Sequence, residues 1–297
     1  MRREVACGPL FAMLVALGLT GSARVQGEHS LQYAPKVPAR INLISRSEIT
    51  MTVMPTGGGL PDTLTIEAAR LESATQFADA AANGRFSIVL QYDSARTRMR
   101  PRGGLWQPLE VKENESAPVR TVLDERMQVL QAEFLDSPHL QASRAHMVRG
   151  LTGGVLVTLP PGPVTRGVPW MTEAAYPLSV LRSIGEEEGV PRLGELVARA
   201  TAKIDSLVGR GADTLYYLTV TGSFLPAQFE SLLSDVPAVT TASGSFASML
   251  VWSSSWSAFL SGASRVVLWM DVRGVPDAGA ASSRVRFDVI TRSQVRM

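Results

Sequence analysis

Residues 284–297 read RVRFDVITRSQVRM, and the period of this stretch decides the fold. Val285, Phe287, Val289 and Val295 fall on one side of an extended chain, and Arg284, Arg286, Asp288, Arg292 and Arg296 on the other. Successive side chains of a strand point to opposite faces, so this alternation describes a strand with one face buried and one in water. The chain is expected to end inside that strand.

The same period recurs upstream. In residues 41–54, Leu43, Ile49, Met51 and Val53 alternate with Arg46, Glu48, Thr50 and Thr52. In residues 85–94, Phe86, Ile88, Leu90 and Tyr92 alternate with Arg85, Ser87, Gln91 and Asp93. Between them, residues 62–73 change face near Ala68 and Ala69, which predicts a β-bulge there. Asn83-Gly84 supplies turn chemistry, so the three segments read as an antiparallel meander.

Further along, Ala198, Ala200, Ala202 and Ile204 alternate with Arg199, Thr201, Lys203 and Asp205. A helix can also be drawn there through Val197, Ala200, Ile204 and Val208. Gly209–Gly211 turns the chain into a Tyr-, Thr- and Val-rich strand over 213–223. Residues 246–260 and 265–273 are expected to form a hairpin joined by Ser261-Gly262-Ala263-Ser264. One stretch has helical spacing: Val119, Val122, Leu123, Met127, Leu130 and Phe134 predict a helix over 119–134, with Pro118 near its first turn and Asp136-Ser137-Pro138 ending it. Residues 103–116 and 160–169 read as surface loops.

The expected fold is therefore mainly β: antiparallel sheets in two similar halves, as packed sheets or a partly closed barrel, with one short helix and an N-terminal signal helix. The Pro-rich stretch divides residues 28–165 from 166–297, unless the two form one continuous domain. Asp62-Thr63-Leu64 and Asp213-Thr214-Leu215 each open a strand after a Gly-rich turn, a faint echo of duplication. This order, with PVTRGVPW at 163–170, LVWS at 250–253 and SRVV at 264–267, resembles a family of uncharacterised exported β-rich bacterial proteins. The resemblance implies no activity.

Residues 1–27 have the plan of a secretory signal: Arg2 and Arg3, an apolar run over Pro9–Leu19, then Gly21, Ser22 and Ala23. Cleavage is expected near Arg24 or Glu28, placing the protein in the periplasm or outside the cell. Cleavage after Gly27 leaves 26 basic and 26 acidic residues, so the basic pI is no argument for nucleic acid. It also removes Cys7, the single cysteine, and with it disulfides, thiolate metal sites and cysteine nucleophiles.

Catalytic signatures are lacking. His29, His139 and His146 have no metal-ligand spacing, no serine sits in Gly-x-Ser-x-Gly, and Gly57-Gly58-Gly59 leads to Leu60-Pro61, without a phosphate-binding lysine. No catalytic residue, metal or cofactor is expected. Trp252 and Trp256 share a face with Leu250, Ala258 and Leu260, either filling an inner sheet face or lining an apolar cavity thinned at Ser254. They are the candidate ligand-binding residues, for a lipid or other apolar partner. The expected function is a non-catalytic exported protein that binds such a ligand or supports an envelope assembly. The alternatives are an outer-membrane barrel, or an atypical serine hydrolase using His139 or His146. The arginines of the last strand read as a solvated outer face.

Overall fold

The computed structural model describes residues 27–37, 39–55, 63–80, 82–109, 118–135, 156–177, 195–233, 236–274 and 282–296. The strands are β1 (Glu28–His29), β2 (Ala39–Pro55), β3 (Leu64–Ala80), β4 (Phe86–Pro101), β5 (Gln107–Leu109), β6 (Val119–Leu123), β7 (Val129–Phe134) and β8 (Leu156–Val157). They continue with β9 (Val164–Thr165), β10 (Trp170–Pro177), β11 (Glu195–Arg210), β12 (Asp213–Leu233), β13 (Val236–Ser253), β14 (Ala258–Gly274) and β15 (Ser283–Arg296).

Apart from β1 and β9, all belong to one antiparallel sheet in the order β7-β6-β4-β3-β2-β15-β14-β13-β12-β11-β10-β8, with β5 on β4. The first long strand thus pairs with the last: Asn42 stands opposite Arg296, and Pro55 opposite Ser283. Strands from both sides of residues 160–169 share this sheet, and among the described residues no ladder joins its edge strands β7 and β8. The sheet nevertheless curls until its two ends meet, where the Leu159 N–H donates to the Arg126 carbonyl at 2.8 Å.

Tight turns over 124–128, 211–212 and 254–257 lie at one end of the strands, and the long connections 135–155 and 178–194 leave from the other. The expected Asn83-Gly84 turn is at the tight end; Asn83 and Gly84 both take positive φ, 61° and 70°.

The alternation becomes an inside and an outside. Ile41, Leu43, Ile49, Ile88, Leu90, Val266, Leu268, Phe287 and Val289 pack in one core with Leu196, Ala198, Ala200, Ala202 and Ile204 of β11. Leu196, Ala198, Ala202 and Ile204 have no accessible surface at all, so the strand reading of this segment holds over the helical one. Gly222 and Gly244 leave room for the crowded interior: a Cβ on Gly222 would meet the Phe246 ring at 2.7 Å, and one on Gly244 would run into the Val267 carbonyl.

The outer face carries charge pairs. Arg100 pairs with Glu67 at 2.7 Å, Arg284 with Asp271 at 3.0 Å and Lys203 with Asp205 at 2.9 Å. Exposed pairs of this kind each contribute roughly 0–1 kcal/mol.

The extended chain from β1 onward adds a tie. Leu31 and Tyr33 are buried while Gln32 and Ala34 are exposed. Tyr33 donates its N–H to Glu125 at 2.7 Å and meets Phe86 edge-on at 5.5 Å, while His29 meets Tyr216 edge-on at 5.4 Å. The segment therefore links the β12 wall to the β4–β6 wall.

Several expectations need correction. Residues 119–134 form no helix but the hairpin β6–β7. Asp124 makes its turn by accepting from the N–H groups of Arg126 and Gln128 at 2.9 and 2.8 Å, and Met127 takes φ 60°. The 246–273 hairpin turns at 254–257, so Ser261–Ser264 lie within β14. No bulge occurs at Ala68–Ala69; the register of β3 on β4 shifts instead at Ser73/Ala74, where Asp93 is the extra residue. The described residues contain no α-helix. The expected signal helix lies outside them.

Candidate functional site

Trp252 and Trp256 do not share a face. Trp252 is on the inner face of β13, 2% exposed, with its ring edge-on to Phe259 at 4.9 Å between centroids. Trp256 sits in the following turn and is 40% exposed. Ser254, expected between them as a thin wall, is in the same turn. Its hydroxyl donates to Asp213 at 3.0 Å and accepts from the Thr214 N–H at 2.9 Å.

Asp213 fastens that turn to the neighbouring one. Its carboxylate also accepts from the Ser253 hydroxyl at 2.7 Å and the Ser255 N–H at 2.9 Å. Burial pushes the carboxyl up, but the Ser255 amide and the hydroxyls of Ser253, Ser254 and Ser255 outweigh it, so its pKa lies below the ordinary carboxylate value.

The sequence reading missed the most unusual feature of the inner face. One row of cross-strand neighbours runs Thr97, Arg70, Ser47, Thr291, Ser264, Ser248 over β4, β3, β2, β15, β14 and β13. All six are buried. The adjoining row places Glu72, Ser45 and Ser293 side by side. Arg70 Nε donates to Glu72 Oε1 at 2.7 Å, with the two side chains only 3% and 6% exposed. The hydroxyls of Ser47 and Thr291 are 3.0 Å apart. At the flanks of this belt, Thr97 Oγ1 and Ser248 Oγ are buried without a hydrogen-bond partner among the described residues. Apolar layers bound it on both sides: Ile49, Ala68 and Val289 towards one end, Leu43 and Ala74 towards the other.

The belt offers hydrogen bonds and a compensated charge pair, and contains no histidine. Its Arg and Glu explain the misplaced bulge. A reading that sends charge to water must turn β3 over to bring Leu71 inward, whereas Leu71 is 50% exposed and Arg70 and Glu72 point in. The one available signal was parity: Ala68, Arg70, Glu72, Ala74, Gln76 and Ala78 keep strict period two.

A cleft of about 480 Å³ lies at the seam where the sheet's ends approach, lined by Arg126, Gln128, Met171, Glu173 and Arg199 among others. Of the histidines, His29 is half-buried beside Tyr216, while His139 and His146 lie outside the described residues. No group of three or more His, Cys, Asp or Glu able to hold a metal occurs among the described residues.

No protein family and no curated protein matches the sequence. Among solved structures, the chain is similar to an outer membrane channel from Pseudomonas putida F1, at 8% identity over 90% of this chain and 98% of that one, with a TM-score of 0.25. It is also similar to OccK11 (OpdR) of Pseudomonas aeruginosa, at 7% identity over 91% of this chain and all of that one, with a TM-score of 0.20. Likenesses this slight carry no argument about fold or function.

Proposed function

We propose that the protein is a non-catalytic, exported β-structure that supports an assembly at the bacterial envelope. The observation that carries this reading is the filled inner face. Leu196, Ala198, Ile204, Val220, Leu268 and Val289 have no accessible surface, so their own neighbours occupy the space a guest would need. The expected alternative of carrying a lipid draws less support, because Trp252 packs on Phe259 and Trp256 lies outside. Native mass spectrometry of protein purified from the periplasm tests this choice. The scaffold reading expects the mature chain without bound lipid, whereas a stoichiometric co-purified lipid would overturn it in favour of a carrier. The non-catalytic part rests on the absence of a catalytic signature in the sequence. A His139→Ala/His146→Ala variant should fully complement a deletion strain under envelope stress; normal accumulation with loss of the phenotype would contradict it.

A second reading, the outer-membrane barrel, is favoured by the pairing of β2 with β15. The outer face opposes it. Arg46, Glu48, Arg98, Lys203 and Arg265 project from mid-strand positions, where Arg or Lys at a bilayer midplane would cost about 2–4 kcal/mol each. Alkaline extraction of envelope fractions separates the two: the scaffold is released, and a membrane-embedded barrel stays in the pellet.

A further inference from the structure

At the long-connection end of the sheet, β4 turns back into β5 through residues 102–106. Gly103 takes φ 80°, and the Gly104 N–H donates to the Pro101 carbonyl at 2.8 Å, closing a turn over residues 101–104 that Leu105 directly follows. Leu105 is 87% exposed, the most exposed of the large apolar side chains described. Beside it, Trp106 lies over the outer face of β4, with the guanidinium carbons of Arg98 and Arg100 at 4.7 and 4.5 Å from its ring centroid. Arg96 and Arg102 are exposed on the same corner. On the facing stretch of β3 the carboxylate is Glu67, already held by Arg100.

We propose that this corner docks the protein on an anionic lipid surface. A leucine held in water by a tight turn has apolar area to lose to hydrocarbon, and an indole beside it suits the headgroup level. The surrounding arginines add attraction to anionic headgroups. Neither signal anchors strongly alone, but an apolar insertion combined with a basic patch does. Charge and shape favour lipid over nucleic acid: the guanidiniums already lie against the indole, where a base would stack, and Leu105 has no counterpart on a polynucleotide. The proposal is independent of the scaffold reading, because a surface-docked protein leaves a membrane under alkaline extraction.

Co-sedimentation of the mature chain with vesicles tests it, using phosphatidylcholine alone and phosphatidylcholine mixed with phosphatidylglycerol. Binding is expected on the mixed vesicles only. Arg102→Gln should weaken it about five-fold, the equivalent of about 1 kcal/mol per basic residue near an anionic bilayer. Leu105→Ser should weaken it further, and Arg292→Gln, on another part of the outer face, should leave it unchanged. No binding to either vesicle overturns the proposal. So does equal weakening by Arg292→Gln and Arg102→Gln, or wild-type binding by Leu105→Ser; either pattern would assign a diffuse attraction between charges that an oligonucleotide would share.

Discussion

At one height of the inner face, β4, β3, β2, β15, β14 and β13 present Thr97, Arg70, Ser47, Thr291, Ser264 and Ser248, while β12, β11 and β10 continue the row with Val220, Ala202 and Trp170. Both regions face inward, and both are built from alternating strands. Alternation therefore determines which side chains share a face, without determining that the shared face is apolar. On the β10–β12 side, any hydrophobic residue of suitable volume can hold its place by packing. On the β13–β4 side, a two-residue slip would keep every side chain on its face but set Ser and Thr against Ile and Leu. The polar belt thus discriminates between registers that hydrophobic patterning alone leaves close in energy.

The largest expected effect comes from breaking the belt at its charges. Glu72→Ala leaves the Arg70 guanidinium buried without its carboxylate and should cost about 3–5 kcal/mol in urea unfolding. Replacing both partners, Arg70→Met with Glu72→Leu, should be neutral or stabilising by about 1–4 kcal/mol, since the desolvation of two ions disappears together. A mild single variant would show that the pair is solvated, and the contrast between the two regions would fail.

Packing is tested next, within one hairpin. Trp252→Ala should cost about 3–5 kcal/mol, as expected for a large aromatic removed from a core. Trp256→Ala, four residues on but outside, should cost far less, and Arg292→Ala should stay within about 0.5 kcal/mol. Equal losses at the two tryptophans would put both inside.

A smaller effect follows pH. The folded Asp213 carboxyl has a pKa below its unfolded value, so its stabilisation is fully present above the unfolded pKa of about 3.9 and is lost as pH falls through the folded one. Asp213→Asn should therefore lower the melting temperature at pH 7, with the gap to wild type narrowing below about pH 4. A gap independent of pH would mean that the turn network does not depend on the charge.

These contrasts mark where the sequence was legible. Strands β2 and β15, and the first parts of β4 and β11, were readable because charge and apolarity sort by parity along them. Over 119–134 the pattern misled for a local reason. Two short strands separated by a five-residue turn set Val119, Leu123, Met127 and Phe134 at helix-like intervals. The helical reading also required Leu130 inside, where the structure leaves it 44% exposed, and it passed over Asp124, which caps the turn. The turn after Trp252 was hidden for a non-local reason. Ser254 and Ser255 leave the strand where Asp213, some forty residues earlier, gathers the hydrogen bonds of Ser253, Ser254 and Ser255. The belt was the least legible of all: each of its residues is ordinary in its own strand, and only pairing places them in one row.

The central claim is that the apolar, belt-bearing face is sealed inside and the charged face meets water. Cys7 is the one cysteine of the sequence and residues 28–297 have none, so single cysteines placed there can report on each face. Adjacent positions on β2 give the most direct measurement, with a water-soluble maleimide applied to the native protein without detergent. Arg46→Cys and Glu48→Cys should label rapidly, and Ser47→Cys and Ile49→Cys only after denaturation. Rapid labelling at 47 and 49 with protection at 46 and 48, the pattern of a water-filled barrel in lipid, would contradict the account.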